Sequence, residues 1–237
     1  MRLKLIDSPN FSKKNRSKKN IKFLIIHYTG MQSESESIKR LTDIKSKVSS
    51  HYLINRKGKI IKMVSEKHVA WHAGKSQWKN YTNLNNSSIG IELVNRGHEF
   101  GYQSFSFKQI KSLKLLLVKL VKKYKIKKNC ILGHSDIAPL RKIDPGEKFP
   151  WKKLSKHKIG NWYRETKIKR KRETYINKME FNFFKNLRIL GFRYFSIRIR
   201  NSTDKKIIKS FQSHYCPNNV NGKIDQKTFE ISHFLTH

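Results

Sequence analysis

Acidic side chains are scarce: 16 Asp and Glu stand against 53 Lys and Arg in 237 residues, giving a formal charge of +37. So one-sided a field attracts polyanions without regard to their sequence. No zinc-finger spacing or base-reading motif accompanies the charge, so a specific nucleic-acid partner is not expected. Lysine, isoleucine and asparagine are in excess throughout, as an A+T-rich coding sequence produces, and we read the charge as mainly compositional. Adhesion to an anionic wall or membrane surface stays open. Cysteine is nearly absent. Cys130 and Cys216 are far apart and belong to no CxxC pair, which excludes a disulfide framework and leaves two reduced thiols. Long hydrophobic runs are missing too. Nothing approaches the roughly 20 apolar residues of a membrane span, and Leu3, Leu5 and Ile6 are too few for a signal peptide. As it stands, the chain reads as an untargeted, soluble monomer.

What is present is a short-period pattern of strands and helices. After a lysine-rich arm over residues 1–20, Ile21 to Thr29 is an apolar run closed by Gly30, as in a strand buried on both faces. Ser33 and Glu36 suit a capping box opening a short helix that fades near Lys47. His51 to Ile54 and Lys59 to Met63 flank Asn55-Arg56-Lys57-Gly58 as a hairpin. Ser88 to Asn95 is a further strand, with Glu92 among apolar neighbours. Ser106 and Gln109 suggest a second capping box, followed by Ile110, Leu113, Leu117, Leu120, Val121 and Tyr124 at helical spacing. A last strand from Cys130 to His134 enters a loop punctuated by Pro and Gly. This order predicts an α/β domain over 21–164, with a central mixed sheet flanked by helices. The charge run Lys167 to Arg172 predicts a linker over 165–174. Three helices are expected over 175–237: Tyr175 to Leu190, one capped by Thr203, and one capped by Asp225. Their core is marginal unless they pack on the first domain.

One strand-to-loop passage carries His134 and, ten residues on, Asp144, while His27 ends another strand. Two imidazoles and a carboxylate suit Zn²⁺, which in catalytic sites keeps its fourth position for water and brings that water's pKa to about 7. Singly, each residue has a plainer reading. His27 alone would more often be a satisfied core histidine, and Asp144 before proline a turn residue. Their occurrence together with Glu92 in an apolar strand, where an unpaired carboxylate is costly, shifts the balance.

Five segments in order, Phe23-Leu24-Ile25-Ile26-His27-Tyr28-Thr29, Val48 to Ile54, Ala70-Trp71-His72-Ala73-Gly74, Ser88 to Glu92 and Gly133-His134-Ser135-Asp136-Ile137-Ala138-Pro139, resemble the N-acetylmuramoyl-L-alanine amidases related to peptidoglycan-recognition proteins and phage lysozyme-type amidases. The resemblance spans roughly Ile21 to Trp162. It implies zinc held by His27, His134 and Asp144, and Glu92 as the proton-transferring carboxylate. It also implies Lys142 as the basic residue stabilising the oxyanion, and peptidoglycan or a muropeptide as substrate. A non-catalytic recognition protein and an anhydro-muropeptide recycling amidase are the alternatives; the first would lack the zinc ligands. Wall-type relatives are periplasmic or outer-membrane-anchored. Residues 175–237 resemble, more loosely, the helical peptidoglycan-binding module of some of these enzymes.

Among the other histidines, His51 reads as structural and His72 as loop packing or substrate contact, while His68, His98 and His157 read as surface residues. Trp71 and Trp78 read as core side chains before sugar-stacking ones. The family usually has glycine where this chain has Leu140, so a strained turn is expected there if it requires positive φ.

Overall fold

The computed structural model describes residues 3–13, 15–163 and 176–236; the expected linker and Tyr175 lie outside them. In chain order the strands are β1 (Leu3–Leu5), β2 (Phe11–Ser12), β3 (Phe23–Tyr28), β4 (Tyr52–Ile54), β5 (Ile60–Lys62), β6 (Val69–Ala70), β7 (Gln77–Trp78), β8 (Tyr81–Thr82), β9 (Ser88–Leu93) and β10 (Ile131–Gly133). The helices are α1 (Glu34–Thr42), α2 (Phe107–Tyr124), α3 (His134–Ile137), α4 (Trp151–Ser155), α5 (Ile176–Leu190), α6 (Asp204–Tyr215) and α7 (Gln226–Phe234). Six strands form one mixed sheet in the order β1-β5-β4-β9-β3-β10, in which only the β4–β5 hairpin is antiparallel.

Alternation along β3 explains its unbroken apolar run. Leu24 and Ile26 face α2, where Leu113, Leu116, Leu117 and Leu120 form a buried stripe. Phe23 and Ile25 face the opposite way, into a core completed by Phe183, Phe184, Leu187, Phe192, Ile207 and Phe211 of the C-terminal segment. Successive side chains of a strand point to opposite faces, so a strand covered on both sides must be apolar at every position. The C-terminal helices thus find their core on the sheet. Gly191 makes the join possible: a Cβ there would stand 2.3 Å from Trp78 Cε2, and its φ of +137° is one that side chains disfavour.

Several caps differ from expectation. Ser33 Oγ accepts from Glu36 N at 3.1 Å, but the Glu36 carboxylate returns to Gln32 N rather than to the cap itself. Ser106 Oγ accepts from Gln109 N, while the Gln109 side chain turns inward and donates to Ile54 O (2.9 Å) and Val94 O (3.1 Å). Two strand-end carbonyls are thereby satisfied, which a buried backbone requires. Thr203 makes no side-chain cap; Asp204 Oδ2 instead accepts from Asn201 N at 3.1 Å. The basic arm is also not separate from the sheet. Leu3 to Leu5 pair in parallel with Ile60 to Lys62, because the edge of β5 offers an unpaired row of backbone groups. Arg16 of the same arm donates to the carbonyls of Glu66, Asn85 and Ser88.

Candidate active site and metal centre

Parallel β3, β9 and β10 end at the same edge of the sheet, where open α/β sheets characteristically bind ligands. Register places His27 of β3 beside Glu92 of β9, and Gly133 of β10 beside Ile26, so His134 emerges next to His27. His134 is the first residue of α3 rather than the last of the strand. Gly133 is required at that bend, since a Cβ would meet Pro145 Cδ at 2.7 Å. Ser135 N donates to Asp144 O at 2.8 Å, folding the loop back so that its carboxylate reaches the two histidines.

His27 Nδ1, His134 Nδ1 and Asp144 Oδ2 form a buried triangle with edges of 3.0, 3.1 and 3.2 Å. Tetrahedral bonds of about 2.0–2.1 Å separate ligand atoms by roughly 3.3 Å, so the donor set suits a small ion that accepts nitrogen and oxygen together. This is a group among the described residues with the composition and closeness of a metal site. Burial and the neighbouring His134 lower the His27 pKa to about 4. Asp144 lies well below the usual carboxylate range: burial opposes this, but the neighbouring His134 and His27 prevail. Neutral imidazoles and an ionised carboxylate are the ligand forms a metal requires.

Glu92 reaches the same place with its Oε2 enclosed and without a hydrogen-bond partner. Desolvation, helped by the charge of Asp144 and opposed by Lys142, raises its pKa to about 8. A cation between the histidines and Asp144 would draw that value back down. Lys142 lines the same cleft of about 390 Å³, together with Tyr28, Arg40, Trp71, Arg96 and His98. Size does not select the site: a cleft of about 690 Å³ at the other end of β3, lined by Lys18, Lys22, Lys79 and Lys127, contains none of these ligands.

The remaining expectations divide. His51 is fully buried and accepts from Gly90 N at 3.0 Å, a structural role. His72 is buried and bonded to His27, and it also lines the cleft. His68 is half-buried: it stacks on Phe11 at 4.9 Å, with Nδ1 buried. His98 is exposed but lines the cleft, bonded to Tyr28 Oη (2.9 Å) and Glu147 (3.1 Å). Trp78 is core and Trp71 lines the cleft. Leu140 has no positive φ, so the expected strain is not there. Its side chain packs on the core shared with the C-terminal helices, and Lys206 Nζ donates to its carbonyl.

A sequence profile described as N-acetylmuramoyl-L-alanine amidase matches residues 17–147, more than half of the chain. The chain belongs to the N-acetylmuramoyl-L-alanine amidase family. This amidase is 35% identical over 234 residues to AmiD of Escherichia coli, covering 91% of the chain and 82% of the relative. It is 35% identical over 166 residues to the 1,6-anhydro-N-acetylmuramyl-L-alanine amidase AmpD of Haemophilus influenzae, covering 62% and 88%. Among solved structures, that of E. coli AmiD superposes with a TM-score of 0.80 at 33% identity, covering 94% and 91% of the chains. AmpDh3 of Pseudomonas aeruginosa superposes with a TM-score of 0.83 at 32% identity, covering 97% and 96%.

The C-terminal helices of the amidase reach the turn that carries His134. His214 Nδ1 lies 2.7 Å from Asp136 Oδ2, which also accepts from Gly133 N at 2.7 Å, and Ser210 Oγ donates to Ser135 O at 2.8 Å. The His214 ring stacks on Trp151 at 4.0 Å. Replacing His214 by Phe keeps the stack and removes the bond to a buried carboxylate, with an expected loss on the order of 3 kcal/mol. Urea midpoints measure it; a midpoint equal to the parent's would show that Gly133 alone satisfies Asp136.

Proposed function

We infer that the chain hydrolyses the amide joining the lactyl group of N-acetylmuramic acid to L-alanine in muropeptides, with His27, His134 and Asp144 holding Zn²⁺. The observation that carries this reading is the unpartnered Glu92 oxygen enclosed beside two histidines and an aspartate. Bound zinc supplies Lewis acidity, lowering the pKa of water and polarising a carbonyl. Glu92 accepts the proton of the attacking water and returns it to the alanine nitrogen as the C–N bond breaks, leaving a lactyl carboxylate and a free amine. The Lys142 ammonium, in the same cleft, stabilises the negative charge that develops on the carbonyl oxygen. Support for the substrate class comes from the relatives: AmiD is held in complex with anhydro-N-acetylmuramic acid-L-Ala-D-gamma-Glu-L-Lys and AmpDh3 with an anhydromuramic pentapeptide. Those two, with the AmpD relatives, favour 1,6-anhydro muropeptides as a second reading of the preferred substrate.

The domain division goes with this proposal: catalysis over 21–164, and a peptidoglycan-binding-like module over 175–237 that also closes the core of the sheet. Mass spectrometry of MurNAc-tripeptide incubated with the protein tests the reaction and the ion together. Free peptide beginning at L-alanine is expected, lost with a zinc chelator and regained with Zn²⁺. An intact substrate despite bound zinc would leave a recognition protein.

A further inference from the structure

Both histidines of the metal centre are held from outside by one short turn. The Ala73 carbonyl lies 3.2 Å from His134 Nε2, and His72 Nδ1 lies 3.0 Å from His27 Nε2. A carbonyl only accepts, and Arg141 Nη2, 3.4 Å from His134 Nε2, already donates to the carbonyls of Ala73 and Lys75, so His134 Nε2 carries the proton and its Nδ1 is left with a lone pair. The direction of the second bond follows from its far end. The Ser88 hydroxyl must donate to Leu84 O, 2.5 Å away, leaving its oxygen to accept from His72 Nε2 at 3.2 Å. A neutral imidazole has one N–H. With that proton on Nε2, His72 accepts at Nδ1 and His27 donates to it from Nε2. Both inner Nδ1 lone pairs therefore face each other and Asp144, an arrangement that a cation between them relieves.

The turn is itself fixed. Asn85 Oδ1 accepts from His72 N at 3.0 Å and from Ala73 N at 2.7 Å. Trp71 N donates to Ser49 Oγ at 2.9 Å. Gly90 makes room for the ring, because a Cβ there would stand 2.4 Å from His72 Cγ. Arg16 donates to the Asn85 carbonyl at 3.0 Å, tying this residue to the N-terminal arm.

We propose that Asn85 and His72 are positioning residues for metal capture: through the turn at residues 71–74, the Asn85 side-chain oxygen sets the tautomer of both His27 and His134. This rests on the reading of those histidines as metal ligands. Outer partners of ligating histidines are worth about 10–100-fold in metal affinity.

The test uses the full chain in four variants. Asn85→Leu removes the acceptor and Asn85→Asp keeps it; His72→Phe removes the acceptor for His27, while His72→Asn keeps an oxygen near the place of Nδ1. Ring tautomers are read from long-range ¹H–¹⁵N spectra of the metal-free protein, and Co²⁺ affinity from chelator competition, with circular dichroism to verify folding. The parent is expected to show His27 and His134 protonated at Nε2. Asn85→Leu is expected to mix the tautomers of both and to lose about 10–100-fold in affinity, with Asn85→Asp near the parent. His72→Phe should disturb His27 and spare His134, with rescue by His72→Asn. If Asn85→Leu does not fold, the His72 pair decides. A parent with His27 protonated at Nδ1, or an Asn85→Leu or His72→Phe variant indistinguishable from it, would overturn the proposal. Failure of the metal centre itself gives a different signature, namely the expected metal-free tautomers with no Co²⁺ bound by the parent.

Discussion

Glu92→Gln keeps its metal and hydrolyses muropeptides about 10²–10⁴-fold more slowly than the parent, the range that a positioned acid–base group contributes. Glutamine fills nearly the same volume and leaves His27, His134 and Asp144 untouched, so metal stoichiometry is expected to be unchanged. His134→Ala, by contrast, loses metal and turnover together. Retained turnover in Glu92→Gln would remove Glu92 from the chemistry. A stability measurement checks the same residue independently of catalysis. In metal-free protein the Glu92 pKa is raised from 4.5 to about 8. The native state then binds more protons than the unfolded chain between those values, and stability falls as pH rises through that window. Glu92→Gln has no proton to lose there. It is expected to match the parent near pH 4 and to exceed it above pH 8, as read from urea midpoints of the metal-free proteins.

Phe211→Ala is the largest expected loss of stability, about 3–5 kcal/mol, because deletion of a buried ring costs its transfer energy and leaves a cavity. Phe211 is fully buried, meeting Phe183 at 5.3 Å and Tyr215 at 5.1 Å. Phe192, 6.2 Å from Phe211, carries the packing on to Trp78 at 4.9 Å. Against total stabilities of roughly 5–15 kcal/mol, such a loss is felt by the entire molecule. One shared core implies that tryptophan fluorescence and metal release change together in a single urea transition at lower midpoint. Two separated transitions, with the metal centre outlasting the helices, would show that α5–α7 stand apart energetically.

Much of this was legible in the sequence where one local pattern determines one structure. The stripe from Leu113 to Leu120 and the run Phe23 to Ile26 give α2 and β3 directly, because each places apolar side chains against a partner layer. His27, His134 and Glu92 stand at or just after strand ends, where chemistry-bearing residues interrupt apolar runs, and Asp144 follows on the loop beyond α3. Elements fixed by distant partners were not legible. Leu3 to Leu5 become a strand only through the free edge of β5. Leu140 escapes the expected strain because its backbone does not take up a positive φ, which the residue type alone does not announce. Thr203 does not cap because its hydroxyl donates to Asn201 Oδ1, which also accepts from Thr203 N. The link from His72 to His27 depends on a ring packed over Gly90, which no spacing within the Trp71-His72-Ala73-Gly74 motif announces.

The separation of the ligands along the chain has a consequence in time. His134 and Asp144 lie 107 and 117 residues from His27, joined only when β10 docks beside β3. Closing so long a loop is slow compared with forming α2 or the β4–β5 hairpin, whose contacts are local. A growing or refolding chain therefore has nothing to offer the ion until its sheet is complete. With the proposed ligands, uptake of metal is expected only after the sheet is complete, and a pulse of metal given earlier should find no place to stay.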